Sequence, residues 1–142
     1  EGWGQFSTRE MTDIAKQEDD TRLIDSASGW FDQGCGDMQS VHNYFFKLEV
    51  KPEKERAAVL SEFGGIALQV QGHSACEELY GYGTYTDLDA LNQAYEELDA
   101  KVQALIPKGL CASVYTQVSD VEEEVNGVLT FDREVQKIRS KK

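Results

Sequence analysis

The chain contains no stretch of the roughly 18–20 apolar residues needed to cross a bilayer. It has no basic and apolar leader at its start, so no secretion signal is expected. No GxGxxG follows a strand-like segment and no phosphate-binding loop occurs, which removes weight from nucleotide-binding folds. No internal repeat recurs at a fixed period. Only two prolines interrupt 142 residues, and positive charge is scarce: 14 Lys and Arg face 26 Asp and Glu, for a net charge of −12. Such a surface repels nucleic acid and acidic membranes but leaves a neutral ligand possible. The three cysteines, Cys35, Cys76 and Cys111, have no close spacing. They read as free thiols in a reducing compartment, which points to the cytoplasm; one bridge with one cysteine left over is the alternative.

What is present is enough for one domain with a core. Ser7-Thr8-Arg9-Glu10 has the form of a capping box, and Met11, Ile14 and Ala15 follow at helical spacing, predicting a helix over residues 7–17. Residues 22–27, 40–45, 57–61 and 110–115 read as strands. Residues 66–86, rich in Gly and Tyr, read as a long functional connection. Leu88, Leu91, Tyr95, Leu98, Val102 and Leu105 repeat at steps of three and four, so an amphipathic helix capped by Thr86 is expected, ending at Pro107-Lys108-Gly109. Glu122-Glu123-Glu124 reads as a solvated face, and residues 132–139 as the start of a last helix. Strands alternating with helices or crossovers favour α/β architecture built from parallel βα units.

Each expected strand ends among reactive or aromatic side chains. Asp25, Ser28 and Trp30 follow the first; His42, Asn43 and Tyr44 lie on the second; Glu62 ends the third; Tyr115, Gln117, Ser119 and Asp120 end the fourth. Strand ends are where α/β proteins gather their chemistry. Glu62, after four apolar or small residues and before Phe63-Gly64-Gly65, is the strongest candidate, against the alternative that it caps backbone amides. His42 and Tyr44 can donate hydrogen bonds to a sugar hydroxyl or to a carboxylate. Trp3 and Trp30 are either core or platforms for sugar rings. His73 and Cys76 could contribute to a zinc site, but two ligands do not make one, and no metal or cofactor is expected.

Together these segments resemble glycoside hydrolase family 2, the β-galactosidase and β-glucuronidase group. Glu1-Gly2-Trp3-Gly4-Gln5 is similar to the segment after the fourth barrel strand, where the acid/base stands. Asp37-Met38-Gln39-Ser40-Val41-His42-Asn43-Tyr44 is similar to the sixth strand and Ser61-Glu62-Phe63-Gly64-Gly65 to the seventh. Ser113-Val114-Tyr115-Thr116-Gln117-Val118-Ser119-Asp120-Val121-Glu122 is similar to the eighth strand and its loop. The resemblance implies the second half of a (β/α)8 TIM barrel over residues 1–142, from the tip of strand four to strand eight and part of its helix. It implies a retaining β-glycosidase of carbohydrate metabolism, with Glu62 as nucleophile and Glu1 as acid/base, the two carboxyls about 5–5.5 Å apart. His42, Tyr44, Trp30, Tyr115 and Asp120 would bind a β-linked glycoside. A half barrel would be nearly inactive alone, and its open sheet edges invite self-association. The competing expectation is an α/β module that binds carbohydrate or a partner without turnover.

Overall fold

A computed structural model describes residues 6–26 and 29–139. The chain divides into two compact units, Glu1–Glu62 with Ala104–Val114, and Phe63–Gln103 with Tyr115–Lys142. The elements in order are α1 (Thr8–Glu18), β1 (Met38–Asn43), β2 (Ala57–Gly64), β3 (Ile66–Ala67), β4 (Gly83–Thr84), α2 (Leu88–Gln103), a 3-10 turn (Ile106–Lys108) and β5 (Leu110–Thr116). The class is mixed α/β, and the described residues form no closed barrel. One sheet has the order β1-β2-β5 and a smaller one pairs β3 with β4 in parallel.

In the first unit α1 forms where its spacing predicts, but the capping box does not. Ser7 adopts a left-handed conformation (φ 50°) and its side chain caps nothing. The helix stops at Asp19, whose carboxylate accepts from both the backbone N–H (2.8 Å) and the hydroxyl (2.5 Å) of Thr21. Of residues 22–27, expected as a strand, the described part, 22–26, joins no strand. Their backbone is instead tied to Asp37: Ile24 N–H donates to the Asp37 carboxylate and Asp37 N–H to the Ile24 carbonyl, both at 2.8 Å. A side-chain acceptor has taken the place of a neighbouring strand. β1 starts two residues earlier than its apolar pattern suggests, and β2 carries a buried run of Ala58, Val59 and Leu60.

The second unit corrects several expectations. β2 continues through Gly64, and Gly65 N–H then donates to the Thr116 carbonyl at 3.1 Å. The 66–86 connection is not structureless: β3 and β4 pair Ile66 with Gly83 and Ala67 with Thr84. A Cβ at Gly81 would lie 2.2 Å from the Ala67 Cβ, so Gly81 permits a close approach that a side chain would block. α2 is capped by Asp87, whose Oδ1 accepts from Ala90 N–H at 2.8 Å, rather than by Thr86. Leu91 of α2 packs with Leu68 and Ile138, and Ile66, Tyr85, Leu88, Tyr95, Tyr115 and Val128 pack around them.

No helix forms over residues 132–139. The N–H groups of Lys137 and Ile138 both donate to the Val128 carbonyl (2.8 and 3.3 Å). The buried Lys137 ammonium donates to the carbonyls of Leu68 (3.0 Å) and Val125 (2.8 Å) and to the Asp120 carboxylate (2.7 Å). Three tertiary hydrogen bonds to buried acceptors outweigh local helical preference. Glu124 is not part of a solvated face: it is half-buried and accepts from Gln117 Nε2 (2.8 Å) and Asn126 Nδ2 (3.3 Å). All three cysteines are free, so the bridged alternative does not hold. Among the described residues no helix is long and apolar enough to cross a membrane.

Candidate functional site

The site lies in the first unit, where β1 and β2 are neighbours. Side chains two apart on a strand share a side. His42 on β1 and Tyr44 just past its end thus both reach Glu62, two residues before the end of β2. The Tyr44 hydroxyl donates to Glu62 Oε2 at 2.7 Å, and His42 Nδ1 lies 3.2 Å from the same oxygen. The Tyr44 hydroxyl therefore fixes one carboxylate oxygen by a hydrogen bond, and the His42 ring stands beside the same oxygen at ion-pair distance without a hydrogen bond from Nδ1 to it. The His42 side chain is 7% exposed whereas that of Glu62 is 37% exposed, so the histidine supports the carboxylate from within while the carboxylate faces solvent. Trp30 stands beside them, its ring 6.2 Å from that of His42 at 75° and 6.5 Å from that of Tyr44 at 40°. Phe45 continues the aromatic group, 6.3 Å from Trp30.

The backbone around this group is held from two sides. Gly29 N–H donates to the Ser40 carbonyl (3.3 Å) and His42 N–H to the Gly29 carbonyl (3.1 Å), which brings the segment carrying Trp30 against β1. Asn43 is buried and shapes the turn beyond β1: its amide donates to the Lys47 carbonyl (3.2 Å) and its Oδ1 accepts from Phe46 N–H (2.9 Å). Phe45 and Phe46 are exposed by this turn. Ser40 Oγ lies 2.9 Å from Asp25 Oδ2 and 2.5 Å from Ser61 Oγ, a polar chain joining β1 to the residue before Glu62. A cleft of about 370 Å³ opens along Trp30, Ser40, His42, Asn43, Phe46 and Lys47.

Gly29 has φ 105°, and a Cβ there would lie 2.7 Å from three atoms of the His42 ring. Gly29→Ala combines backbone strain with a clash, so His42 must move away from Glu62. We expect the His42 ring to be displaced, with a change in Tm of a few degrees. The imidazole NMR signals of His42 beside a thermal melt check this; unchanged His42 signals would show that Gly29 does not set the ring's position.

Comparison with models of protein families finds no match for this chain, and no curated protein matches it.

The expected site residues separate into three groups. Glu62, His42, Tyr44 and Trp30 come together. Glu1, expected as acid/base, lies outside the described residues, as do Trp3 and Ser28. Tyr115 and Asp120, expected at the sugar, belong to the second unit and have interior partners there. Tyr115 packs edge-on against Phe63 (5.7 Å) and Tyr95 (5.3 Å), and burial pushes its phenol above the ordinary range. Asp120 is 3% exposed and accepts from Gly127 N–H and the Lys137 ammonium, both at 2.7 Å. The sequence gives no sign of the role of Gly29, which depends on neighbours in β1, whereas Asn43, which the sequence does single out, shapes its turn through Phe46 and Lys47 three and four residues onward.

His73 does not pair with Cys76. Its Nδ1 lies 2.7 Å from Asp132 Oδ2 and 4.0 Å from Glu134 Oε2. The three could hold a cation, yet the shorter separation is that of a hydrogen bond and Glu134 is largely exposed. Asp132 is held down to about 2 by the Thr130 hydroxyl, the Glu134 N–H and His73, so hydrogen bonding accounts for the cluster.

Proposed function

We propose that this chain carries the nucleophile side of a retaining β-glycosidase of the glycoside hydrolase family 2 type. Glu62 attacks the anomeric carbon, and Glu1 acts as acid to the departing oxygen and then as base to water. The observation that carries this reading is the convergence of Tyr44 and His42 on one oxygen of Glu62, beside the Trp30 ring. A nucleophilic carboxylate must present one oxygen to the sugar while the other is held still. An indole at its side offers the apolar surface on which a pyranose ring can stack. The order β1-β2-β5 also suits the proposal, since successive strands of a parallel barrel lie side by side. In this proposal β1, β2 and β5 are the sixth, seventh and eighth strands of a TIM barrel. The free cysteines favour a cytoplasmic setting.

The chemistry balances in two steps. In the first, a Glu62 oxygen bonds to the anomeric carbon, the glycosidic C–O bond breaks and Glu1 gives its proton to the leaving oxygen. In the second, Glu1 takes a proton from water, water oxygen bonds to the same carbon and the Glu62 ester is released.

A binding module without turnover is the second reading, favoured by the exposed rings of Phe45 and Phe46 beside Trp30. A 2-deoxy-2-fluoro glycoside with a good leaving group separates the two in the intact protein. The proposal expects inactivation with one sugar attached at Glu62 by peptide mass analysis. Reversible binding with no covalent adduct would establish the module instead.

A further inference from the structure

Arg56 stands one residue before β2 and its side chain is 10% exposed. Its guanidinium donates to Asp32 in bidentate form, from Nη1 to Oδ1 at 2.7 Å and from Nη2 to Oδ2 at 2.6 Å. Nε lies 2.5 Å from Glu53, and Nη1 also reaches the carbonyls of Cys35 and Met38 at 3.5 Å. Nearly every donor of the planar fork is used, and the acceptors belong to one loop, to the start of β1 and to the approach to β2. Burying a guanidinium so completely is costly unless its geometry is needed. The loop in question runs from Gly29 to Gly36 and carries Trp30. At one end it is fixed by the hydrogen bonds of Gly29 with Ser40 and His42. At the other it is fixed by Asp32, two residues from Trp30, and by Cys35. The Asp32 carboxylate also accepts from Gly34 N–H at 2.9 Å, and its interaction with Arg56 holds it below the usual carboxylate range.

We propose that Arg56 is a positioning residue for sugar binding: through Asp32 it holds the 29–36 loop so that Trp30 stays against His42 and Tyr44 as a fixed platform. The assignment rests on the glycosidase reading of the Glu62 site. Arg56 does not itself line the cleft; its partner Asp32 does, as does Trp30, so Arg56 acts through the loop that carries both. Platform contacts are made to the sugar in both ground and transition states, so their loss weakens binding uniformly. Lysine keeps the charge but lacks the fork, so it cannot replace both bonds to Asp32.

The test uses the intact protein with Trp3→Phe as background, so that Trp30 is the tryptophan read in this chain. In Arg56→Ala, KM for a nitrophenyl β-glycoside is expected to rise roughly tenfold while kcat stays within about threefold. Arg56→Lys and Asp32→Asn are expected to fall between, and each should shift Trp30 emission to the red and raise its quenching by iodide. Arg56→Lys and Asp32→Asn keep the test decisive if Arg56→Ala does not fold. A fall in kcat with KM unchanged, or emission and quenching unaltered in both variants, would overturn the assignment. Absence of turnover in the background protein itself would count against the glycosidase reading, while Trp30 emission would still report whether Arg56 holds the loop.

Discussion

Glu62→Ala is expected to lower turnover of nitrophenyl β-glycosides by roughly 10⁴-fold, the scale on which removal of a nucleophile acts. Folding should change little, because the Glu62 side chain is more than a third exposed and is bonded mainly through one oxygen. Added azide should restore part of the activity, because the small anion fits the space left by the carboxylate and attacks the anomeric carbon directly. Nitrophenolate leaves without needing a proton, so the rescue does not depend on Glu1. The stereochemistry decides the role. With the nucleophile missing, a single displacement inverts the centre, and the product must be the α-glycosyl azide. A β-glycosyl azide would mean that a covalent intermediate still forms, and Glu62 would then have to be reassigned as the acid/base. Full activity without azide would remove it from the chemistry altogether.

The second large effect concerns stability. Asp120→Ala should cost about 3–5 kcal/mol, because it leaves the Lys137 ammonium buried with only two carbonyl partners. The Lys137 side chain is fully buried and that of Asp120 is 1% exposed, so solvent does not screen the loss. Lys137→Met should cost less, since no buried charge of the same size remains without its partner. The double substitution should be milder than the sum of the two, with urea unfolding as the measurement. The pH dependence follows from the direction of the Lys137 shift. Burial lowers its proton affinity in the folded state below the ordinary 10.5, against which Asp120 pulls upward. Between the folded and unfolded values the unfolded chain binds more protons, so stability rises with pH in that window. Without Asp120 the folded value falls further and the window widens toward neutral pH. Asp120→Ala should therefore regain stability as pH rises toward 10.5, more steeply than the parent. An Asp120→Ala variant as stable as the parent at pH 7 would show that the pair contributes nothing.

The expected site residues that the structure brings together and those to which it gives interior partners differ in one respect. His42 and Glu62 sit on strands, with Tyr44 one residue past the end of β1, and the apolar pattern of those strands also fixes which side each faces, so their approach is foreshadowed by position. Tyr115 sits on such a strand too, but its phenol packs between Phe63 and Tyr95, and nothing in its own segment announces those neighbours. Asp120 has the appearance of a strand-end acid. Its partner Lys137 lies 17 residues onward in a segment that reads as helix. The capping box at Ser7 fails for a related reason: a favourable tetrapeptide offers a cap, but the chain enters α1 in a left-handed conformation that takes the hydroxyl elsewhere.

Apolar spacing by itself determined α2, the cores of β1, β2 and β5, and the candidacy of Glu62, because side-chain periodicity and strand ends are local properties of the chain. The tertiary structure alone decided that the Tyr44 hydroxyl bonds one oxygen of Glu62, that Arg56 grips the Trp30 loop, and that Lys137 is an interior residue. Those outcomes depend on hydrogen bonds between segments far apart in sequence, where a buried donor takes whichever acceptor the fold brings to it.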